Sequence, residues 1–375
     1  MNALANDRNI LLCAGGTGGH LFPAQALAKI LTGKGWVVHL ATDARARQFV
    51  KGFEPSRVHI IRSATVGRKN PLAIAKTAID LAIGYWQSRV LLKKLKPACV
   101  IGFGGYPTLP PVLAASRQGI AIILHEQNAV MGRANRFLHQ RARGVVMGFG
   151  VSGKSGDKRF LTLGNPVRAE VLDAAKKEYN VREKADVFNL LVFGGSQGAQ
   201  FFSKIVPEAL ALLDDGLRAR IRLVQQARVE DQQELRHRLD ELNVEADIAP
   251  FFSAMAEHIG NADFVISRAG ASTVSELAVI GRPSILVPYP FALDHDQAMN
   301  AAGLERSGGC KVIKQDNLKA QILAAELNNA INQPALLAAT AKQAKAAGKP
   351  EATQQFGDLV EHIISGGSIA DFQVR

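Results

Sequence analysis

His20 ends the stretch LLCAGGTGGH, and an imidazole placed directly after a glycine-rich turn can take a proton from whatever that turn holds. The turn recurs as LLVFGGSQGA, from Leu190 to Ala199, and the two copies align without a gap. Gly15, Gly16 and Gly19 stand over Gly194, Gly195 and Gly198, and Thr17 stands over Ser196. Only the first copy ends in histidine. A glycine loop between a strand and a helix lets backbone N–H groups approach a ligand closely, and the helix N-terminus favours an anion. Phosphate or diphosphate is therefore the expected guest of both turns, with proton transfer the expected task of one. The plainer alternative is a tight packing corner and a histidine that only makes a structural hydrogen bond.

Three further clusters have residue types suited to sugar and phosphate chemistry. VIGFGGYPTLPP offers Gly104, Gly105 and Tyr106 as a second anion-binding nest. LHEQN, directly after an apolar run, sets Glu126 as a base or hydroxyl acceptor and Asn128 as a sugar hydrogen-bonder, against the alternative of a satisfied polar turn. In SRAGASTVSE the hydroxyls of Ser272 and Thr273 suit phosphate oxygens at a helix start, and Glu276 can accept both hydroxyls of a ribose. Asp294-His295-Asp296-Gln297 contains a DxD, read here as sugar-hydroxyl contacts because no second acidic or histidine cluster supports a metal. Neither glycine turn completes the dinucleotide fingerprint, since Leu21 or Thr17 stands where a glycine is needed, and no GK[ST] follows. Asp43, ending LATD, keeps a nicotinamide dehydrogenase open as a minor alternative. No cofactor and no metal are expected.

These clusters need a scaffold that brings strand ends together. Short apolar runs at 10–14, 37–41, 100–103, 120–124, 145–147, 190–193, 221–224, 264–267 and 284–287 alternate with longer amphipathic stretches. Continuous apolar strands interleaved with helices predict a parallel sheet covered on both faces. With 375 residues and two matching glycine turns, the pattern predicts two such units, with a boundary near Asn165-Pro166-Val167-Arg168. A helix from about Pro334 to Ala347 is broken by Gly348-Lys349-Pro350, and a last amphipathic segment runs to Ile364.

Composition narrows the partners. Residues 1–170 carry 24 Lys and Arg against 7 Asp and Glu, whereas residues 171–375 carry 21 against 26. A strongly basic half calls for an anionic partner, a membrane surface or a nucleic acid. No nucleic-acid motif or aromatic platform accompanies the charge, so nucleic acid is disfavoured. In the run LAIAKTAIDLAIGYWQSRVLLKKLK, Leu72, Ile79, Ile83, Trp86 and Val90 form one stripe, while Ile74, Leu81 and Tyr85 lie on another face. One apolar face suffices to cover a sheet. Ile74, Leu81, Tyr85 and Trp86, flanked by Arg68, Lys69, Arg89, Lys93, Lys94 and Lys96, are thus candidates for membrane contact, each cation contributing about 1 kcal/mol on anionic lipid. A helix buried on several sides is the alternative. The three cysteines, Cys13, Cys99 and Cys310, have no disulfide or metal spacing, which fits a reducing cytoplasm. Neither a secretory leader nor a spanning apolar segment is evident.

Through GGTGGH, GFGGYPTLPP, HEQNAVMGRANR, GNPVR, FGGSQGA and SRAGASTVSE, in that order, the chain closely resembles the MurG family over nearly its whole length. That resemblance implies a GT-B fold, two Rossmann-like domains facing across a cleft. Residues 1–168, with 348–375 packing back on them, would take the acceptor, and 169–347 the UDP-sugar donor. The implied reaction is inverting transfer of N-acetylglucosamine from its UDP ester to the 4-hydroxyl of lipid I, giving lipid II for peptidoglycan, peripherally on the cytoplasmic face of the inner membrane. By motif, Thr17, Gly18, Gly19, Asn128, Arg168, Ser196, Gly270, Ala271, Ser272, Thr273, Val274, Ser275 and Glu276 match donor contacts, with Glu276 on ribose. Phe252 falls where the family sets backbone against uracil, and Gln297 matches a glutamine near the sugar; Asp296 departs from the glutamine often paired with it. Gly16, Gly104, Gly105 and Tyr106 would meet the acceptor diphosphate. His20 is the first candidate base and Glu126 the second. Cell-wall synthesis proteins are possible partners, and a UDP-sugar epimerase on a similar twin fold is the alternative activity.

Overall fold

The computed structural model describes residues 8–15, 18–50, 53–64, 70–150, 157–181, 186–292 and 296–374, and of 47–49, 71–73 and 195–199 the backbone alone. Two compact units result, one of residues 1–168 with 351–375 and one of 169–350.

In the first unit β1 (Asn9–Cys13), α1 (Gly18–Gly33), β2 (Val37–Thr42), β3 (Val58–Ile60), α2 (Pro71–Leu95), β4 (Cys99–Gly102), α3 (Leu109–Arg117), β5 (Ala121–Glu126), α4 (Arg133–Leu138), β6 (Gly144–Met147) and β7 (Phe160–Thr162) follow in order. The seven strands form one parallel sheet in the order β3-β2-β1-β4-β5-β6-β7. Alternation along β1 divides the core. Ile10 and Leu12 face a cluster with Leu21 and Leu27 of α1 and Phe356 of the C-terminal helix, whereas Leu11 and Cys13 face Leu92 of α2 and Val112 of α3. Burial on both faces explains why these strands read as unbroken apolar runs.

The second unit repeats the plan with α5 (Ala169–Ala174), β8 (Phe188–Phe193), α6 (Gly195–Leu210), α7 (Asp215–Arg218), β9 (Ile221–Gln226), α8 (Gln232–Glu241), β10 (Glu245–Ala249), α9 (Met255–Asn261), β11 (Phe264–Ser267), α10 (Ala271–Ile280), β12 (Ser284–Leu286), α11 (Asp296–Arg306), β13 (Lys311–Val312), α12 (Ala320–Asn332) and α13 (Pro334–Ala347). Its parallel sheet runs β10-β9-β8-β11-β12-β13. The C-terminal helix α14 (Ala352–Ile364) belongs to the first unit, where Phe356, Leu359, Val360 and Ile363 complete the core under α1. The chain crosses back at Glu351 rather than at Gly348, because a Cβ on Gly348 would lie 2.8 Å from the Ala278 carbonyl oxygen of α10. Thr353 Oγ1 pins the return by accepting from Val167 N and donating to Val167 O, both at 3.0 Å.

Helix α2 divides the four expected contact residues, Ile74 and Trp86 being exposed and Leu81 and Tyr85 not. Leu81 and Tyr85 are half-buried and Tyr85 packs on the core, so they lie on the inward face; Ile74, Ile79, Trp86 and Val90 are 54–64% exposed. The inward face is built on small residues. A Cβ on Gly84 would lie 2.0 Å from the Arg62 carbonyl oxygen, and Ser88 Oγ satisfies itself by donating to Gly84 O at 2.7 Å. A notch of glycine and serine draws the helix close, and hydrophobic periodicity gives it no weight.

Candidate active site

Ligands of open parallel sheets bind beyond the strand carboxyl ends where strand order reverses. In the first unit the reversal falls between β1 and β4, and the turns following these strands meet there. A Cβ on Gly15 would sit 2.3 Å from Pro107 Cγ, and one on Gly105 would sit 3.2 Å from Gly15 O. Gly104 and Gly105 have φ of +81° and +76°, the left-handed region that favours glycine. His20, in the first turn of α1, lies over this junction: a Cβ on Gly104 would come 3.4 Å from His20 Cδ2 and 3.6 Å from its Nε2. The imidazole is half-buried. Desolvation lowers its pKa to about 4 against an opposing hydrogen bond with the Gly15 backbone, which keeps it neutral and able to accept a proton at pH 7.

Glu126, at the end of β5, is 2% exposed, and both of its oxygens are occupied. Oε1 accepts from Asn128 N at 3.0 Å and Asn128 Nδ2 at 3.4 Å; Oε2 accepts from Gly132 N and Asn135 Nδ2, each at 2.9 Å. The carboxylate thus ties down the loop from Asn128 to Asn135. Asn135, which the sequence did not single out, also donates to His125 O at 2.9 Å; nothing local marks it, because its partners lie nine and ten residues back. Arg168 sits over the Phe22 ring at 4.4 Å, on the α1 side of the same unit.

His125, fully buried between the rings of Phe103 and Phe356 at 5.4 and 5.5 Å, has its pKa pushed by desolvation down to about 3. His20 and His39 are lowered to about 4 and His59 is lowered too, chiefly by burial. These groups stay neutral in the fold while the unfolded chain protonates near pH 6.5, so stability is complete above that pH and is lost as pH falls toward 4. Thermal unfolding should show Tm falling across this window, with His125 alone accounting for about 2 kcal/mol at pH 5. His125→Leu should flatten the slope; an unchanged slope would refute this assignment.

In the second unit the reversal falls between β8 and β11, where Gly194 caps α6 and Arg268-Ala269-Gly270 leads into α10. Ser272 Oγ, in the first turn of α10, is buried with no hydrogen-bond partner among the described residues, an arrangement an anionic oxygen would complete. Glu276 lies one turn further along α10 and is 7% exposed. Gln297 Oε1 accepts from Ala269 N at 3.2 Å and Tyr289 N at 2.9 Å, joining this turn to the segment after β12. Beneath it Arg268 donates to Val287 O at 3.2 Å and Gln315 Oε1 at 2.6 Å and lies 5.0–5.5 Å from the rings of Phe201, Phe202 and Tyr289, so this cation is part of the frame. Phe252 is 9% exposed, and its ring packs edge-on against His258 at 4.8 Å.

The first unit therefore gathers His20, Gly104, Gly105 and Glu126, and the second gathers Gly270 to Glu276 with Gln297. Gly18 and Gly19 open α1, Tyr106 directly follows the Gly104-Gly105 turn, and Asp296 opens α11 beside Gln297. Gly16, Thr17, Arg68, Lys69, Asp294 and His295 lie outside the described residues, as does the Ser196 side chain. Among the described residues no three His, Cys, Asp or Glu side chains come together in a metal-binding group, and no helix is long and apolar enough to cross a membrane.

Twin parallel α/β units, each with a glycine turn at its reversal point, are the architecture of the GT-B fold, and the family to which the chain belongs makes it a glycosyltransferase. The chain belongs to glycosyltransferase family 28, and within it to the MurG family. The N-terminal domain model of family 28 matches residues 10–147 and the C-terminal domain model 189–356. A Brucella suis protein named UDP-N-acetylglucosamine–N-acetylmuramyl-(pentapeptide) pyrophosphoryl-undecaprenol N-acetylglucosamine transferase is 54% identical over 100% of this chain and 99% of its own. The crystal structure of Acinetobacter baumannii MurG superposes with a TM-score of 0.75 at 28% identity, covering 94% of this chain and 99% of that one. A Neisseria meningitidis UDP-GlcNAc 2-epimerase reaches a TM-score of 0.66 at 12% identity over 95% and 100%, which is a likeness of fold.

Proposed function

We propose that this chain transfers N-acetylglucosamine from UDP-N-acetylglucosamine to lipid I, with the acceptor held by the first unit and the nucleotide sugar by the second. The observation that carries the mechanism is the neutral His20 imidazole seated on the junction of two glycine turns. The acceptor 4-hydroxyl attacks the anomeric carbon, its proton passes to His20, the new C–O bond forms as the bond to UDP breaks, and the configuration inverts. The N-terminus of α10 with Ser272 and Thr273, together with Arg168, stabilises the charge on departing UDP. Glu276 receives the ribose hydroxyls, the Phe252 backbone the uracil and Gln297 the sugar; Thr17, Gly18, Gly19, Asn128, Ser196 and Asp296 complete the donor contacts. Gly16, Gly104, Gly105 and Tyr106 cradle the acceptor diphosphate. Mixing the protein with labelled UDP-N-acetylglucosamine and a lipid I analogue should move label into the lipid. Label retained on UDP by folded protein would sink the transferase reading, and conversion of the sugar without an acceptor would establish the epimerase instead.

The family-wide transferase identity disfavours the epimerase, since the epimerases share only the fold. The undecaprenyl chain of the proposed acceptor supports work at a membrane surface. Ile79, Trp86 and Val90 form an exposed apolar strip on α2, Ile74 is exposed nearer its N-terminal end, and Arg89 lies 5.4 Å from the Trp86 ring. Lys93, Lys94 and Lys96 are exposed near its C-terminal end. This strip suits a peripheral seat on the anionic cytoplasmic face of the inner membrane. Flotation with vesicles containing phosphatidylglycerol should recover the protein, and Ile79→Ser with Trp86→Ser should lower recovery about tenfold while Tm holds. Equal flotation of the double variant would exclude this face.

A further inference from the structure

Gln226 is the last residue of β9, the strand between β8 and β10. Its side-chain amide reaches both neighbours. Oε1 accepts from Gly194 N at 3.3 Å, at the glycine turn that starts α6, and Nε2 donates to Pro250 O at 3.1 Å, directly before Phe251 and Phe252. The partners fix the amide's orientation, because a backbone N–H can only donate and a proline carbonyl can only accept. Strand pairing stops at Ala249 on one side, where Ala227 N donates to Ala249 O at 3.1 Å, and at Val192 on the other. Gly194 and Pro250 lie past these paired residues, and the amide spans the gap between them.

We infer that Gln226 is a positioning residue that sets the separation between the phosphate-side turn at Gly194 and the base-side turn at 250–252, so that one nucleoside diphosphate can engage both at once. The inference rests on the donor reading given above. A ligand that spans two walls gains from their being held in register, whereas a fragment that touches one wall does not.

The test uses the full-length protein with Gln226→Met, which keeps side-chain length and removes both hydrogen bonds. UDP, uridine and inorganic pyrophosphate are titrated separately, and donor kinetics are measured with a lipid I analogue. UDP affinity should fall about three- to tenfold and donor KM should rise in step, with kcat within about twofold and the two fragments bound as by the wild type. Gln226→Asn, one methylene too short to span the gap, should reproduce the pattern and serves if the methionine variant folds poorly. Unchanged UDP binding, or an equal loss for all three ligands, overturns the inference. Wild-type protein that does not bind UDP would overturn the donor reading itself, which an indifferent Q226M leaves standing.

Discussion

His20→Ala should lower kcat roughly 100- to 10,000-fold and leave the KM for UDP-N-acetylglucosamine little changed, the expected cost of removing the proposed general base, which does not hold the donor. The expectation rests on position and protonation together. His20 lies against Gly104 where β1 and β4 diverge, and burial holds it neutral down to about pH 4. The wild-type rate should therefore be flat near neutrality and fall as pH approaches 4, when the imidazole takes up a proton before the substrate can supply one. The alanine variant should lose that acid limb. Steady-state kinetics with a lipid I analogue across this range decide the matter: a variant retaining the limb places the base elsewhere.

Glu126 gives the second large effect, of a different kind. All four groups that meet its carboxylate are donors, and the side chain is 2% exposed. Glu126→Ala strands buried N–H groups and should destabilise by about 3 kcal/mol or more. Glu126→Gln fares little better, because in either orientation the amide directs its own N–H groups at donors, Asn128 N and Nδ2 or Gly132 N and Asn135 Nδ2. Burial raises the carboxyl pKa, and the donors around it pull the other way. Both variants should show a Tm lower by several degrees, with a preserved acid limb in whatever activity remains. A Gln variant with native Tm and no turnover would instead make Glu126 the base.

Much of the scaffold was legible in local sequence. Nine apolar runs became strands at or within a residue or two of the expected bounds. The strands missed were β3, β7, β10 and β13, with two to five residues each. β3, β7, β10 and β13 close the outer edges of the two sheets, so they need no unbroken apolar run; EADIA of β10 buries only Ile248 and exposes its two acids. In α2 the apolar pattern was read correctly as two faces, but which one packed inward depended on the notch at Gly84 and Ser88 against the Arg62 backbone.

The sequence by itself determined the chemistry on offer: twin glycine turns, a histidine on one of them, a hydroxyl-rich helix start on the other unit, and the family to which they belong. These are local requirements, since a turn that must admit an anion needs glycine whatever surrounds it, and a strand buried on both faces needs an unbroken apolar run. The tertiary structure decided which turns meet. It joined Gly15 to Pro107, seated His20 on Gly104, surrounded Glu126 with four donors and stretched the Gln226 amide between Gly194 and Pro250. Those outcomes follow from strand order, in which β4 lies beside β1 across 85 intervening residues and β11 beside β8 across 70, and no local pattern records that adjacency.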